Sequence, residues 1–382
     1  MSRQPKGNSI YTTRALSFDE LGVELIEKWK QLDSETHVAN PFLSCGFVLS
    51  FLKNRPPHQQ PVFLICQCRQ SGKLLGMGVF HQTRATKTLP LPHLIPFQCE
   101  YALRHGFLIA EGATSEFLSS LLDYMNHHQD RWFGIEFPEL RLEQEWVTQL
   151  HQQASSTGLG CSFRLRPVYE SPVVDLLKLN EKELESNWSA SRRKTMRRNL
   201  KRLNKRGKVE FRIITDEKET PAALERFLVV EGSGWKKNLG TSLSSQQADS
   251  DFVKSMVAEL ATQHRVFISE LRVENDVAAS AINLISGTEM FAFKIGFNEN
   301  YAEASPGVLH EMHLAEHVCE HFPQITRIDG CAKADSYLNQ IWPDRIVIGE
   351  GLLSVSKLAR GTGKLLSKIR LFKRWVAHLL EK

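Results

Sequence analysis

The segment from Glu289 to Phe322 constrains the fold most, because it reads as a strand, a loop and a helix in direct succession. Its aromatic-rich strand covers 290–297, where residues two apart share one face of a sheet. The helix is predicted to begin at Ser305, whose side chain can accept a hydrogen bond from a first-turn N–H, with a proline at the first helical position. A helix start carries unpaired N–H groups and a positive dipole end. The segment therefore predicts an anion-binding site at the helix start.

Length and composition indicate a folded protein of about two domains. The chain has 382 residues, of which 42% are hydrophobic, whereas single cores seldom exceed about 250–300 residues. It contains no apolar run of the ~20 residues that a membrane span needs, and its first residues lack the core of a signal peptide. The seven cysteines are odd in number and lie mostly inside apolar runs, which favours reduced, buried thiols. We therefore expect a soluble, cytoplasmic protein.

Positive charge is concentrated in two segments of the chain. Residues 192–208 contain ten Lys and Arg and no acid, and residues 357–382 contain eight with one acid. Like charges one helical turn apart repel, so the first segment predicts a basic helix that binds an anion, although a solvated surface helix has a similar composition. The second segment has apolar residues in helical register between its cations. It predicts either a helix packed on the domain or a peripheral anchor at an anionic membrane surface.

The order of predicted elements is similar in the two halves of the chain. Each half gives helices, then a meander of three strands, and then helix, strand, helix and strand. In the first half, 97–110 reads as one strand, and two separate strands are predicted near 161–166 and 173–176. This order predicts a mixed α/β (α+β) fold with two tandem domains, each a twisted mixed sheet flanked by helices. The predicted domains are 1–170 and 171–352, followed by a basic tail helix over 353–382.

Four segments of the second half carry a further signal: WSASRRKTMRRNLKRLNKRGKVEFRI, EGSGWKKNLGTSL, FKIGFNENYAEASPGVLHE and IDGCAKADSYLNQIWPDR. They resemble the acetyltransferase domains of CelD-type and FemAB-like proteins, which have two GNAT-like units in tandem. The resemblance covers roughly 176–348 and extends to the N-terminal half only in element order. It implies an acyltransferase that moves an acyl or aminoacyl group onto an amine or hydroxyl, commonly in cell-envelope or polysaccharide biosynthesis. The implied co-substrate is acetyl-CoA or another acyl-CoA, with no tightly bound cofactor, and the N-terminal unit would have a degenerate donor site.

The donor loop departs from the pattern that the resemblance implies. GNAT enzymes that bind coenzyme A usually carry a Gln/Arg-x-x-Gly-x-Gly/Ala loop. With Gly307 at its last position, Ala302 and Ser305 take the other two, so the leading Gln or Arg and one Gly are missing. Backbone N–H groups from Gly307 to Leu309 can still hold a pyrophosphate. An aminoacyl-tRNA donor stays open, as does a non-catalytic protein that binds nucleic acid or a membrane through both basic segments.

Four residues are candidates for the chemistry, each with a structural alternative. Glu231 precedes a glycine-rich stretch and would be the general base, or simply mark the end of a helix. Lys294 would polarise the acyl carbonyl or neutralise donor phosphate, or simply extend to solvent from an exposed or half-buried face of its strand. Tyr301 would protonate the leaving group, or simply cap the core. Asp329 follows a strand at the edge where ligands bind in open α/β sheets, or caps the next turn.

Two further groups of residues are assigned to binding. Those around the strand end and the helix start would contact the donor: Phe293, Ile295, Ser305, Gly307, Val308 and Leu309. Those in the basic helix, the stretch after Glu231 and the loop after Asp329 would contact a phosphate-bearing or saccharide acceptor: Arg193, Lys194, Arg197, Trp235, Lys236 and Asp335.

Four histidines recur along the predicted helix of the opening segment. His310, His313, His317 and His321 fall within about 80° of one another at 100° per residue, and the apolar residues centre on the opposite face. The sequence HEMH is not the zinc-binding pattern H-E-x-x-H. The pattern therefore predicts a solvated face and no metal site.

Overall fold

The computed structural model describes residues 10–55, 59–156, 160–179, 188–233 and 242–362. Its helices are α1 Val23–Glu35, α2 Cys45–Asn54, α3 Thr114–His127, α4 Glu145–Ser156, α5 Leu176–Leu179, α6 Ala190–Asn204, α7 Thr220–Glu231, α8 Gln247–Ala261 and α9 Pro306–His321. Its strands are β1 Tyr11–Leu16, β2 Val62–Cys68, β3 Leu74–Thr83, β4 His93–Pro96, β5 Leu108–Ile109, β6 Gly134–Arg141, β7 Ser162–Asp175, β8 Val209–Ile214, β9 Val266–Val273, β10 Asp276–Ser286, β11 Glu289–Phe297, β12 Arg327–Asp329 and β13 Asp344–Ser354.

Serine side chains cap the N-termini of two helices, α2 and α6. Ser44 accepts a hydrogen bond from the Phe47 N–H at the start of α2, and Ser189 accepts one from the Arg192 N–H at the start of α6. Each cap satisfies a backbone donor that has no partner within the helix. Helix α6 begins two residues before the predicted basic segment 192–208.

The chain forms two compact units. The first comprises the described residues of Met1–Leu43, Pro57–Val168 and Val347–Lys382. Its strands run β1, β2, β3 and β4 as antiparallel neighbours, followed by a parallel step from β4 to β6 and an antiparallel step to β13. Aromatic rings fill its core, where Phe107 meets Phe137 and Trp146 edge to face.

The second unit comprises the described residues of Ser44–Pro56 and Tyr169–Ile346. Strands β8, β9, β10 and β11 are antiparallel neighbours, followed by a parallel step to β12 and an antiparallel step to β7. Helix α2 belongs to this unit although it comes early in the sequence, because Phe47 and Phe51 both pack edge to face on Phe252 of α8. The core between sheet and helices includes Met290, Leu309 and other buried side chains.

The same pairing pattern, an antiparallel meander followed by one parallel and one antiparallel step, occurs in both units. This confirms the predicted mixed α/β fold with two tandem domains that each contain a mixed sheet flanked by helices. The seven cysteines, all of which are described, are free thiols; four are buried, and Cys68, Cys319 and Cys331 are half-buried. No described helix is both long and apolar enough to cross a membrane. Residues 363–382, most of the predicted tail helix, lie outside the described part of the chain.

Three of the predicted strands were wrong in their bounds. Within 97–110 only Leu108 and Ile109 form a strand, because the preceding residues turn where the Ala102 N–H donates to the Cys99 carbonyl. The two strands predicted near 161–166 and 173–176 are one continuous strand, β7. The middle of β7 is exposed and contains Pro167, so its composition resembles a loop although its backbone stays extended.

Candidate active site

The carboxyl-terminal part of strand β11 extends beyond its short neighbour β12. The short strand β12 pairs in parallel with residues 289–291 of β11, whereas β11 continues to Phe297 beside β10. Phe293 has no partner in β10, because the register shifts by one residue there. A bulge of this kind bends the strand and changes the direction of the following side chains. The last residues of β11 therefore border a gap beyond the carboxyl end of β12, the place where open α/β sheets bind ligands.

The start of α9 faces this strand end but is built differently from the predicted cap. Ser305 has a left-handed backbone, with φ of 48°, and its side chain makes no capping hydrogen bond. Its carbonyl instead accepts hydrogen bonds from the N–H groups of Val308 and Leu309. Pro306 has no N–H to donate. The N–H of Gly307 is thus the first-turn donor that has no partner among the residues described.

A pocket of ≈ 390 Å³ lies where the end of β11 meets the start of α9. Glu231, at the end of α7, and Tyr337 add polar groups to walls that are mainly apolar. No Lys or Arg is found among the described lining residues, which are Glu231, Ile295, Gly296, Phe297, Glu299, Ala302, Ser305, Pro306, Gly307, Val308 and Tyr337. An apolar cavity with a few convergent polar groups is the usual form of a small-molecule site.

Five of the residues predicted from the sequence meet in this pocket. Ile295, Ser305, Gly307 and Val308 come from the strand and helix of the opening segment, and Glu231 comes from α7. Glu231 is held against β11, since a Cβ built on Gly296 would lie 2.6 Å from the Cα of Glu231. This close approach needs a glycine and brings the carboxyl group, which is 3% exposed, to the pocket wall.

The Glu231 carboxylate is positioned by a backbone hydrogen bond. Its Oε2 accepts from the Leu243 N–H at 2.9 Å. This contact orients the carboxylate at the end of α7. Glu231 is therefore a fixed, buried acid at the pocket.

Tyr337 is a pocket residue that the sequence did not single out. It opens the short 3₁₀ helix Tyr337–Gln340, which begins at Ser336 through a hydrogen bond from the Leu338 N–H to the serine hydroxyl. Its surface is 39% exposed, yet the surrounding protein raises the pKa of its hydroxyl well above the usual value, through burial first and the Glu311 charge second. The serine-capped turn was recognisable in the sequence, but nothing there pointed to its tyrosine.

Two of the predicted chemical residues make structural contacts away from this lining. The Tyr301 hydroxyl donates to Asp276 at 3.1 Å, and Arg206 lies over the tyrosine ring at 5.2 Å. Burial is the first cause that raises the pKa of this hydroxyl, followed by its hydrogen bond to Asp276. Asp329 is fully buried and accepts from the Cys331 N–H at 2.8 Å, where Cys331 has a left-handed backbone. Asp329 thus has the turn-capping contact that was its structural alternative.

The other described donor and acceptor candidates also lie outside the pocket lining. Phe293 and Leu309 are buried in the core, where Phe293 packs edge to face on Phe47. Lys294 is half-buried on β11, and Asp335 is exposed in the loop after β12. Trp235 and Lys236 lie outside the described residues. Strand alternation did not anticipate the exchange of faces that the bulge at Phe293 introduces.

Helix α6 carries the predicted basic face. Met196 and Leu203 are buried beneath it, and the Trp188 indole just before it donates to the Ile341 carbonyl at 2.7 Å. Four exposed cations repeat every three or four residues on the outer side and have no ion pair within the described residues; these are Lys194, Arg198, Lys201 and Lys205. We name these four residues the basic stripe. At this spacing they point within about 60° of one another.

The predicted acceptor residues Arg193 and Arg197 differ from the basic stripe. Arg193 donates to the Trp188 carbonyl at 2.5 Å and so fixes the start of the helix. Arg197 is exposed on α6 but, unlike the basic stripe within the described residues, it has an interaction partner. Of the predicted acceptor residues, Lys194 is the member of the basic stripe.

Helix α6 also packs on one wall of the pocket. Arg202 donates to the Glu303 carbonyl at 2.7 Å, and Arg206 contacts the Asn300 carbonyl and the Glu303 carboxylate. These acceptors lie in the 3₁₀ helix Glu299–Ala304, which also contributes Glu299 and Ala302 to the pocket lining. The basic helix and the pocket are therefore parts of one assembly within the second unit.

The solvated histidine face predicted for α9 was wrong for its first member. His310 is fully buried, and its Nε2 lies 2.9 Å from the Ser269 hydroxyl. The ring of Phe211 on β8 packs against His310, His313 and His317. Helical periodicity correctly grouped the histidines, but the strand that covers them is distant in sequence.

Comparison with known proteins agrees with this architecture. Residues 190–337 match the family described as the acetyltransferase (GNAT) domain. No curated protein sequence matches the chain.

Three solved structures share the fold. FemX is 12% identical, with 86% of this chain and 95% of that chain covered and a TM-score of 0.54. The C-terminal domain of a candidate lysylphosphatidylglycerol synthetase from Agrobacterium fabrum is 12% identical, with 86% and 91% covered and a TM-score of 0.52. A conserved protein of unknown function from Bacteroides thetaiotaomicron is 10% identical, with 88% and 98% covered and a TM-score of 0.53.

The repeated sheet pattern gives two units of similar fold, and the second contains the segment that matches the acetyltransferase (GNAT) domain, which defines the class as an acyltransferase. The chain therefore shares the fold of FemX, and its family match is confined to residues 190–337.

Proposed function

We propose that this protein transfers an acyl group from acyl-CoA to an amine or hydroxyl of a saccharide or cell-envelope precursor. The reaction would take place in the pocket at the start of α9. The observation that carries this proposal is the convergence of the buried Glu231 carboxylate and the Tyr337 hydroxyl on the lining of one largely apolar cavity. A base and an acid beside one binding site are what direct acyl transfer requires.

The donor is assigned to the gap between β11 and α9. The side chains of Ile295, Phe297 and Val308 offer apolar contact to an acyl group and its thioester arm. The N–H of Gly307 is available at the helix start, where the dipole favours negative charge. The described lining contains Glu231 and Glu299 but no cation, so the donor diphosphate would lie outside the cavity, at the first turn.

The chemistry follows from the two polar groups. The acceptor nitrogen or oxygen attacks the thioester carbonyl carbon, and its proton passes to the Glu231 carboxylate. The new bond forms as the carbon–sulfur bond breaks, and the departing thiolate takes the Tyr337 proton. The products are the acylated acceptor and free coenzyme A, without a covalent enzyme intermediate. Glu231 returns its proton to solvent, and Tyr337 recovers one.

The acceptor is assigned a negative charge because of the basic stripe. Its four exposed cations would otherwise repel one another along α6, and a phosphate or diphosphate relieves that repulsion. The contacts of Arg202 and Arg206 with the 3₁₀ helix place the stripe on an element adjoining the pocket. A phosphate-bearing saccharide precursor combines such a charge with the hydroxyl or amine that the chemistry needs.

A ligand-induced shift of the melting temperature tests the donor, because a ligand that binds only the folded protein raises it. Acetyl-CoA, a longer acyl-CoA, coenzyme A and an aminoacyl-tRNA are the four probes. The proposal expects a rise with the CoA thioesters. A rise with aminoacyl-tRNA alone would replace the donor by the one that the FemAB-like resemblance also implies, and no rise with any probe would contradict donor binding altogether.

A further inference from the structure

The carboxyl-terminal half of α9 carries a second group of chemically competent side chains. His313, Glu316 and His317 each offer one ligand atom, and these atoms all lie within 4.8 Å of one another. The residues are spaced i, i+3 and i+4, so helix geometry alone directs them to one side. We propose that this cluster is a binding site for a divalent transition-metal ion of the zinc class.

The orientation of His317 supports the proposal. Its Nδ1 lies 2.8 Å from the His313 carbonyl oxygen, and a carbonyl can only accept, so Nδ1 must carry the proton. The lone pair of the neutral ring is then on Nε2, the atom free to bind a metal. A histidine that donates its other N–H to a backbone carbonyl is the usual arrangement of a metal ligand.

His313 and Glu316 already have the separation expected of two ligands on one metal ion. His313 Nδ1 and Glu316 Oε2 are 3.3 Å apart, but the nitrogen has no aligned hydrogen bond within the described structure. Two ligands each about 2.0–2.1 Å from a tetrahedral zinc ion are about 3.3–3.4 Å apart. Only the wider separations in the cluster, at most 4.8 Å, need to shorten, and side-chain rotation on the helix surface can provide this.

The imidazole rings are held while the carboxylate stays open to solvent. Phe211 packs on His313 at 5.8 Å and on His317 at 4.8 Å between ring centroids. The Glu316 side chain is 44% exposed and that of His313 is 19% exposed. An ion can therefore enter from solvent and complete its shell with water.

The chemistry of the donors selects the metal. Two imidazole nitrogens and one carboxylate suit Zn²⁺, Ni²⁺, Co²⁺ or Cu²⁺, whereas Mg²⁺ and Ca²⁺ prefer oxygen ligands alone. The order His313-x-x-Glu316-His317 also has the H-x-x-E-H spacing of one class of zinc peptidases. In those enzymes the glutamate is the base, but here Glu316 lies among the three converging groups and serves as a ligand.

Calorimetric titration of the metal-free full chain with NiCl₂ and with ZnCl₂ tests the site. The wild type should bind one equivalent that His317→Ala and Glu316→Gln bind at least ~10-fold more weakly. His321→Ala is the matched control, because His321 is exposed one turn further along and lies outside the cluster. Glu316→Gln alters a half-exposed side chain, so its fold should be intact, and melting curves without metal check this for every variant.

Cobalt provides a structural readout of the same site. Visible absorption bands of bound Co²⁺ should appear with the wild type and with His321→Ala and should be lost with His317→Ala. Equal affinity of all variants for both metals, or no binding by the wild type, would overturn the proposal. Neither outcome depends on acyl transfer.

Discussion

Alanine substitutions at two pocket glycines distinguish the effect of close packing on stability from the effect of a filled pocket on donor binding. Gly296 and Gly307 both line the cavity, one on β11 and one on α9. A Cβ at Gly296 would lie 2.6 Å from the Cα, 2.8 Å from the Cβ and 2.9 Å from the backbone nitrogen of Glu231. A Cβ at Gly307 would meet only Ile295 Cδ1 at 3.8 Å and Phe297 Cδ1 at 3.9 Å. The two substitutions should therefore have opposite effects.

The first substitution, Gly296→Ala, should destabilise the protein. Ordinary contact begins at 3.4 Å, and the overlapping atoms belong mainly to backbone, so α7 and β11 must separate by most of an ångström. Overpacking of this kind costs about 1–3 kcal/mol. In a unit of this size each kilocalorie lowers the melting temperature by about 2–4 °C, which gives a loss of about 2–12 °C.

The second substitution, Gly307→Ala, should leave stability equal or slightly higher. Its new methyl makes ordinary contacts, and alanine is favoured over glycine in a helix by up to about 1 kcal/mol. The methyl occupies space in the pocket, so acetyl-CoA should bind more weakly. Thermal unfolding and donor titration of both variants measure the two effects. A normal melting temperature for Gly296→Ala, or a large loss for Gly307→Ala, would refute this account of the packing.

Three further predictions concern single features. Tyr337→Phe should lower kcat by about 10²–10⁴-fold and leave donor affinity unchanged, since it removes only the proton that the leaving group takes; equal kcat would contradict this. Replacing Lys194, Arg198 and Lys201 by Gln should weaken binding of a phosphorylated acceptor and flatten its salt dependence, whereas the same change at the exposed Lys53, Arg69 and Arg84 should not. Burial, with Arg104 second, lowers the pKa of His105 to about 4, so stability should fall as pH drops from about 6.5 to 4, by about 3 kcal/mol at most; urea unfolding of His105→Gln should lack this part of the loss.

The sign of the His105 effect follows from proton uptake. Below about pH 6.5 the unfolded chain binds a proton that the folded chain does not yet bind. Acid therefore favours unfolding until the folded-state pKa of about 4 is reached. Part of the side chain is exposed, so the measured loss should be smaller than the full value.

Local patterns in the sequence were sufficient for much of the fold and for one side of the site. The alternation of β11 and the proline after Ser305 are short-range signals, and the structure has β11, α6 and α9 close to their predicted positions. The duplicated order of elements predicted two mixed sheets. Those signals also brought Ile295, Gly307 and Val308 to the pocket, because they follow directly from strand end and helix start.

The other side of the site depends on contacts between distant residues. Tyr337 reaches the pocket through a 3₁₀ helix that follows β12, and its altered pKa arises from burial and from Glu311 on α9. Phe293 was misplaced because a single unpaired residue in β11 changes the direction of its side chain. His310 was misplaced because β8, far away in sequence, covers it. None of these arrangements has a periodicity that a sequence pattern could show.

Calorimetric titration of acetyl-CoA into two tryptophan variants tests the central claim most directly. Ala302 is exposed and lines the pocket, so Ala302→Trp should fill the cavity without disturbing the core. Ala222→Trp makes the same change at an exposed position of α7 outside the pocket lining. If the pocket at the start of α9 holds the donor, the wild type and Ala222→Trp should bind acetyl-CoA alike, and Ala302→Trp should bind at least ~10-fold more weakly. Unchanged affinity of a folded Ala302→Trp variant would contradict the account.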